Sequence, residues 1–398
     1  MKGVTSKLLV AAAAALLAVG LFAFAGCGSG SSSPAGSSSA APESSAVPAA
    51  SAESSSDASA PAGAAAATQT ITDMVGRTVE VPTDPQRIIG VGSSSLRMIC
   101  YLQAVDKVVG VEQGEQEDSV TCTYRHVNHD LFSTLPVIGE GGSKGVTPNE
   151  EAIIAAAPDV IIASIDKDSA DALQEKTGIP VVCITLSDIV FDQVFYDNVT
   201  MLGTVLGAQD RADEIIKYMQ NAEADLTSRT ANVESKTAYA GGVSYRGGHG
   251  FAGTEAGFPP FAITNTVNIA DADGATGCFD IDLEAVSSAQ PDYIFLESGN
   301  IGLVKEDVDA NPDYFANLKA VQDDNVYSLV SYRFYATNVD LAIANCYQVG
   351  CAVYPDQFAD VNPTEKLDEI TMFFLGKPLS EDLAAEGCSF QKYDMMNL

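Results

Sequence analysis

Short apolar runs alternate with longer helical stretches along most of this chain, and the alternation predicts its architecture. RIIGVG (87–92) and VVGVE (108–112) are compact apolar runs with SLRMICYLQA between them at helical spacing. DVIIAS (159–164) and PVVCIT (180–185) repeat the arrangement around DKDSADALQEKTG. Apolar residues at consecutive strand positions call for cover on both faces, which means a parallel sheet flanked by helices. From Phe191 to about Asn232 the pattern is helical with few breakers, although Gly203 and Gly207 permit a bend. Strand and helix alternate again through TAYAGGVS (237–244), YIFLES (293–298) and NVYSLV (325–330). The expected fold class is α/β: two α/β lobes with central parallel-type sheets, joined by one long helix.

An internal repeat supports two lobes. EAIIAAAPDVI starts at Glu151 and EAVSSAQPDYI at Glu284; each is Glu-Ala, five residues, Pro-Asp, one residue, Ile. Each reads as a helix ended by proline and followed by a buried strand, with Asn149 and Asp282 as capping residues. Helix-dipole chemistry accounts for a glutamate in a first turn. It does not require the same one in both lobes.

The first residues point to export. Lys2 and Lys7 precede an apolar run from Leu8 to Ala25 that ends in small residues before Cys27. A run of that length also marginally spans a bilayer, so an uncleaved anchor is the competing reading. Phe-Ala-Gly-Cys resembles the lipobox of bacterial lipoproteins, with Phe24 where that family usually has leucine, and the resemblance implies lipidation of Cys27. Residues 28–67 are almost all Ser, Ala, Gly and Pro, too small and polar to bury a core, and read as a tether. The expected layout is a signal peptide (1–26), lipidated Cys27 and tether (27–68), N-terminal lobe (69–190), interlobe helix (191–233) and C-terminal lobe (234–398). It would stand outside the cytoplasm, lipid-anchored to the cell membrane, as a monomer.

Composition narrows the partners. A formal net charge of −32 without basic patches argues against nucleic acid. Beyond Cys27 there are seven scattered cysteines and no C-x-x-C, so neither a disulfide scaffold nor structural zinc is expected, although one or two disulfides stay open. GVGSSSL (90–96) lacks the third glycine of a dinucleotide loop, the lysine of a phosphate loop and the Gly-x-Ser-x-Gly of a hydrolase elbow. No catalytic residue, resident metal or intrinsic cofactor is expected, and the chain does not read as an enzyme.

ITDMVGRTVEVPTDPQRIIGVGSSSLRMICYLQAVDKVVGV resembles the opening of substrate-binding proteins of ABC importers for iron complexes, haem and cobalamin. PNEEAIIAAAPDVIIAS is similar to a second segment of that family, with Glu150 in place of the usual leucine. The resemblance covers essentially all of residues 70–378. It implies two α/β lobes bridged by a rigid helix, a ligand held between them, and delivery to a membrane permease driven by an ATPase subunit. It also implies that Glu151 and Glu284, one per lobe, dock onto permease arginines.

Three Tyr-Arg pairs stand out in so acidic a chain: Tyr124-Arg125, Tyr245-Arg246 and Tyr332-Arg333. Loops at the carboxyl ends of strands hold ligands in open α/β folds, and two of the pairs follow predicted strands. Tyrosine offers a rigid flat face and a hydroxyl, while arginine offers a permanent charge and a planar fork for oxygen ligands. The expected ligand site is Tyr124, Arg125, Lys144, Tyr245, Arg246, His249, Tyr332, Arg333 and Tyr335, receiving a bulky anionic metal chelate. A ferric siderophore is the first expectation, haem with His249 as an axial ligand the second, cobalamin or another corrinoid the third. A surface adhesive lipoprotein is the alternative from a different class; it would have no use for the paired glutamates.

Overall fold

The computed structural model describes residues 67–398, apart from 143, 144 and 188. The export signal, Cys27, almost all of the tether and Lys144 lie outside the described residues.

In the first lobe four parallel strands lie in the order Val108–Gly110, Ile88–Val91, Val160–Ala163, Val181–Cys183. In the second the order is Val267–Asn268, Thr237–Gly241, Tyr293–Glu297, Val326–Leu329, again all parallel. Counted along the chain, both sheets run second, first, third, fourth. Ile88–Val91 and Val160–Ala163 are buried at every position, as strands covered on both faces must be. Strand order reverses between the first and third strands of each lobe, and a crevice forms at the carboxyl ends there.

The sequence repeat is the same joint built twice. The Glu150–Ala156 helix is capped by Asn149, and the Leu283–Ala289 helix by Asp282. Each ends in a non-glycine residue with left-handed backbone, Ala157 (φ 46°) or Gln290 (φ 45°), which turns the chain into Pro-Asp. The aspartate then ties down the neighbouring strand. Asp159 Oδ2 accepts the N–H groups of Gln86 and Arg87 at 2.8 and 2.9 Å, just before Ile88–Val91. Asp292 Oδ2 accepts the N–H and hydroxyl of Thr237 at 3.0 and 2.9 Å, at the start of Thr237–Gly241.

Two features differ from the sequence expectation. The stretch expected as one interlobe helix is two, Gln193–Leu206 and Gln209–Thr230. Gly207 adopts left-handed backbone (φ 70°) and ends the first. Gly203, lacking a side chain, lets Ala212 of the second approach. The C-terminal segment also does not stay with the second lobe. The Pro363–Leu375 helix returns to the first, where the Phe374 ring meets Tyr101 at 4.8 Å. Farther on, Asp382 reaches His126 of the first lobe at 3.3 Å. The largest core cluster is accordingly continuous between lobes, running from Ile99 and Leu202 through Met219 to Phe295, Leu341 and Phe374.

Cys100, Cys122, Cys183, Cys346, Cys351 and Cys388 are free thiols, all but Cys351 buried. Burial pushes Cys183 and Cys351 up to about 11, so they remain protonated and unreactive at neutral pH.

Candidate functional site

A cleft of about 970 Å³ opens at the carboxyl ends of the two sheets. The second lobe supplies the loops that follow its first, third and fourth strands: Ser244 to Gly248, Gly299 with Asn300, and Ser331 with Arg333 to Tyr335. The first lobe supplies residues between Gln113 and Arg125, together with Glu140, Gly141 and Gly142. Two of these loops carry left-handed backbone at side-chain-bearing residues: Arg246 (φ 51°), Tyr335 (φ 52°) and Ala336 (φ 68°). Each such position costs about 1–3 kcal/mol and persists only where its surroundings fix it.

The fold brings together Arg125, Tyr245, Arg246, Arg333 and Tyr335 as cleft lining. Tyr124 and Tyr332 were expected there too, but both are fully buried behind it. Their hydroxyls are taken up by glutamates. Tyr124 Oη donates to Glu115 at 2.7 and 2.8 Å, and Tyr332 Oη to Glu255 at 3.4 Å. The same glutamates hold the neighbouring arginines. Arg125 Nε meets Glu115 at 3.0 Å, with both side chains 2% exposed. Arg333 grips Glu255 with two nitrogens, its Nε at 3.0 Å. Two Tyr-Arg pairs are therefore parts of Tyr–Glu–Arg triads, one per lobe, in which tyrosine and glutamate are buried and the arginine reaches the cleft.

The third pair is built differently. Arg246 is exposed, and among the described residues it has no carboxylate at ion-pair distance. Tyr245 lines the cleft with its ring stacked on His249, centroids 3.7 Å apart, and its hydroxyl on Asp280 at 2.9 Å. His249 lies behind that ring. Its nitrogens face Asp280 at 3.0 Å and the Tyr245 carbonyl at 2.9 Å.

Arg97 and Glu112, not singled out from sequence, join the lobes beside the cleft. Arg97, in a helix buried at every position, sends its guanidinium to the carbonyls of Phe334 and Tyr335, each at 2.9 Å. It also donates to Asn338 Oδ1 at 3.1 Å and Ser94 Oγ at 2.6 Å, and lies over the Tyr124 ring at 4.9 Å. Tyr335 Oη donates across the cleft to Glu112 Oε2 at 2.6 Å. Arg125 lies over the Phe334 ring at 5.2 Å. Gly141 fits against Glu112 and Tyr335, where a Cβ would collide with both.

A buried carboxylate sits at a strand end in each lobe. Glu112 accepts the Gly92 N–H, and Glu297 the Ser244 N–H, each at 3.0 Å. Burial pushes both up to about 7, against the pull of those hydrogen bonds. A signal for them was present, since VVGVE and YIFLES each place an acid after an apolar strand. Arg97 likewise interrupts an apolar helix. Glu115 and Glu255 have no comparable local signature.

Glu151 and Glu284 are exposed in the first turns of equivalent helices, and among the described residues neither carboxylate has a cationic partner. The described residues contain no group of three or more His, Cys, Asp or Glu able to hold a metal ion.

Comparison with known proteins agrees with the two-lobed fold. A family described as "Periplasmic binding protein" matches residues 88–332. An uncharacterized ABC transporter substrate-binding lipoprotein of Bacillus subtilis, YvrC, is 23% identical over 297 residues, covering 73% of this chain and 87% of that one. Among solved structures, a periplasmic solute binding protein from Veillonella parvula superposes with a TM-score of 0.64 at 20% identity, covering 81% of this chain and 97% of that one. The TroA-like periplasmic binding protein FepB from the same organism gives 0.62 at 22% identity, covering 81% and 99%. These structural likenesses establish the shared fold.

Glu297 gives a pH-dependent prediction. Its carboxyl is raised from 4.5 to about 7, so the stability it contributes is complete below pH 4.5 and lost as pH rises through 7. Glu297→Gln should therefore gain about 2–3 kcal/mol over the parent at pH 8 relative to pH 4.5, measured by urea unfolding. A variant-to-parent difference that stays the same at both pH values would contradict this.

Proposed function

The chain belongs to the periplasmic binding protein family, and on that premise we propose that it captures an iron chelate, a ferric siderophore, and hands it to an ABC permease. It is a substrate-binding component of an ABC transporter and not an enzyme. Its place is outside the cytoplasm, held to the membrane through lipid on Cys27, as the name of the Bacillus subtilis relative suggests by analogy.

The observation that carries the cargo reading is the cleft itself. At about 970 Å³ it lies at the upper end of the roughly 300–1,000 Å³ range of small-molecule sites, far more than a single ion needs. Arginines from both lobes, with Tyr245, Phe334 and Tyr335, line it with planar donors and flat faces suited to a chelator's oxygen-rich shell. Haem fits less well, because both His249 nitrogens already face acceptors and its ring is stacked behind Tyr245.

Delivery would use the two exposed glutamates. Glu151 and Glu284 stand on matching helices of the two lobes, so one carboxylate per lobe is offered to a partner with two cationic sites. Such contacts give register and orientation more than raw affinity, which suits a carrier that docks and leaves. The ATPase subunit would drive transport from the far side of the permease.

The cargo is tested by native mass spectrometry and visible spectra of the full-length protein in detergent, mixed separately with haemin, a ferric trihydroxamate and cobalamin. Retention of the ferric chelate without new protein–iron bands is expected. A Soret shift with retained haem, retention of cobalamin alone, or retention of nothing would overturn the iron assignment. Docking is tested with Glu151→Ala combined with Glu284→Ala. Chelate affinity should stay within about twofold while uptake falls about tenfold or more. Normal uptake by the double variant would remove the docking role from this pair.

A further inference from the structure

The Tyr-Arg pairs were expected to receive an anion, but the cleft's charges are already balanced from behind. Arg125 is held by Glu115, and Arg333 by Glu255. Glu115 is fixed by the Tyr124 hydroxyl, so its charge cannot swing away when a ligand arrives. Arg246 is the cleft cation without a carboxylate partner among the described residues, and it is exposed, where water and salt weaken its field. Against it, Glu117 and Glu140 line the cleft and are also exposed. Among the described residues that line the cleft or pair directly with its arginines, three arginines thus meet four glutamates, in a chain whose formal net charge is −32. A polyanion entering this cleft would be repelled over its whole approach.

The donors themselves are not used up. Arg125 Nε serves Glu115 and Nη1 the Glu117 carbonyl, leaving Nη2 without an acceptor among the described residues. A guanidinium whose charge is cancelled behind but whose N–H groups face forward hydrogen-bonds a neutral oxygen at little electrostatic cost. Discrimination against an anion comes from the unfavourable charge it would meet, as specificity often does.

We infer that the cleft selects chelates carrying no net negative charge, and that Glu115 and Glu255 are the residues that set this preference. The inference rests on the iron-chelate reading and narrows it to uncharged complexes such as ferric trihydroxamates, at the expense of trianionic tris-catecholates.

The test is isothermal titration of the full-length protein in detergent with two hexadentate ferric chelates of similar size, a neutral trihydroxamate and a trianionic tris-catecholate. The neutral complex should bind at least about tenfold more tightly at low salt, with the gap closing as salt is added. Glu255→Gln should narrow the preference about threefold or more by removing one negative charge that Arg333 meets. Should that buried substitution prevent folding, Glu140→Gln on the exposed lining tests the same field and should narrow the gap by a smaller factor. Equal or tighter binding of the trianion by the parent protein overturns the charge inference and leaves the iron-chelate reading standing. Binding of neither complex overturns both.

Discussion

Burial of the Arg97 guanidinium is the constraint on which the two-lobed arrangement depends. A permanent cation that is 1% exposed must have its donors satisfied by protein. Arg97 belongs to the first lobe, yet its partners are mainly in the second: the carbonyls of Phe334 and Tyr335 and the amide oxygen of Asn338. Hydrogen bonds from charged groups are worth about 1.5–3 kcal/mol each, and breaking several together leaves buried groups unpaired. Wide separation of the lobes is therefore costly. The Pro363–Leu375 helix adds a second crossing through Phe374 and Tyr101. The cleft is preformed, and a ligand entering it has little reorganisation to drive.

The same tie explains the cleft's unusual backbone. The loop that Arg97 grips is the one in which Tyr335 and Ala336 adopt left-handed conformations. Held there, Tyr335 reaches Glu112 across the cleft and Phe334 covers Arg125. The loop is thus anchored underneath by a buried cation and presented above to the ligand. Matching strand order in the two lobes then places the second-lobe loops and the first-lobe segments around a common opening.

Much of this was legible in the chain because it depends on local pattern. Consecutive apolar residues announced the parallel strands, and the Glu-Ala…Pro-Asp repeat announced a joint used twice. The resemblance to importer binding proteins rested on those same segments and agrees with the family match. What could not be read depends on contacts between distant residues. Nothing local indicates that Glu115 would meet Tyr124 and Arg125, or that Glu255 would meet Tyr332 and Arg333. A Tyr-Arg pair looks the same in sequence whether it faces a ligand or a buried carboxylate. The break at Gly207 was foreshadowed by the glycine, but the return of the C-terminal helix to the first lobe carried no signal, since an amphipathic helix does not name its partner.

On the proposed reading, cargo is held between the lobes, against Arg125, Arg246 and Arg333, without release of the Arg97 tie. A crystal structure of the protein loaded with a neutral ferric chelate tests it most directly, because iron can be located by its anomalous scattering. An iron peak is expected in the cleft between the Ser244–Gly248 and Arg333–Tyr335 loops, with the Arg97 hydrogen bonds to Phe334 and Tyr335 intact. Iron bound elsewhere, or lobes rotated so far that those bonds are broken, would contradict it.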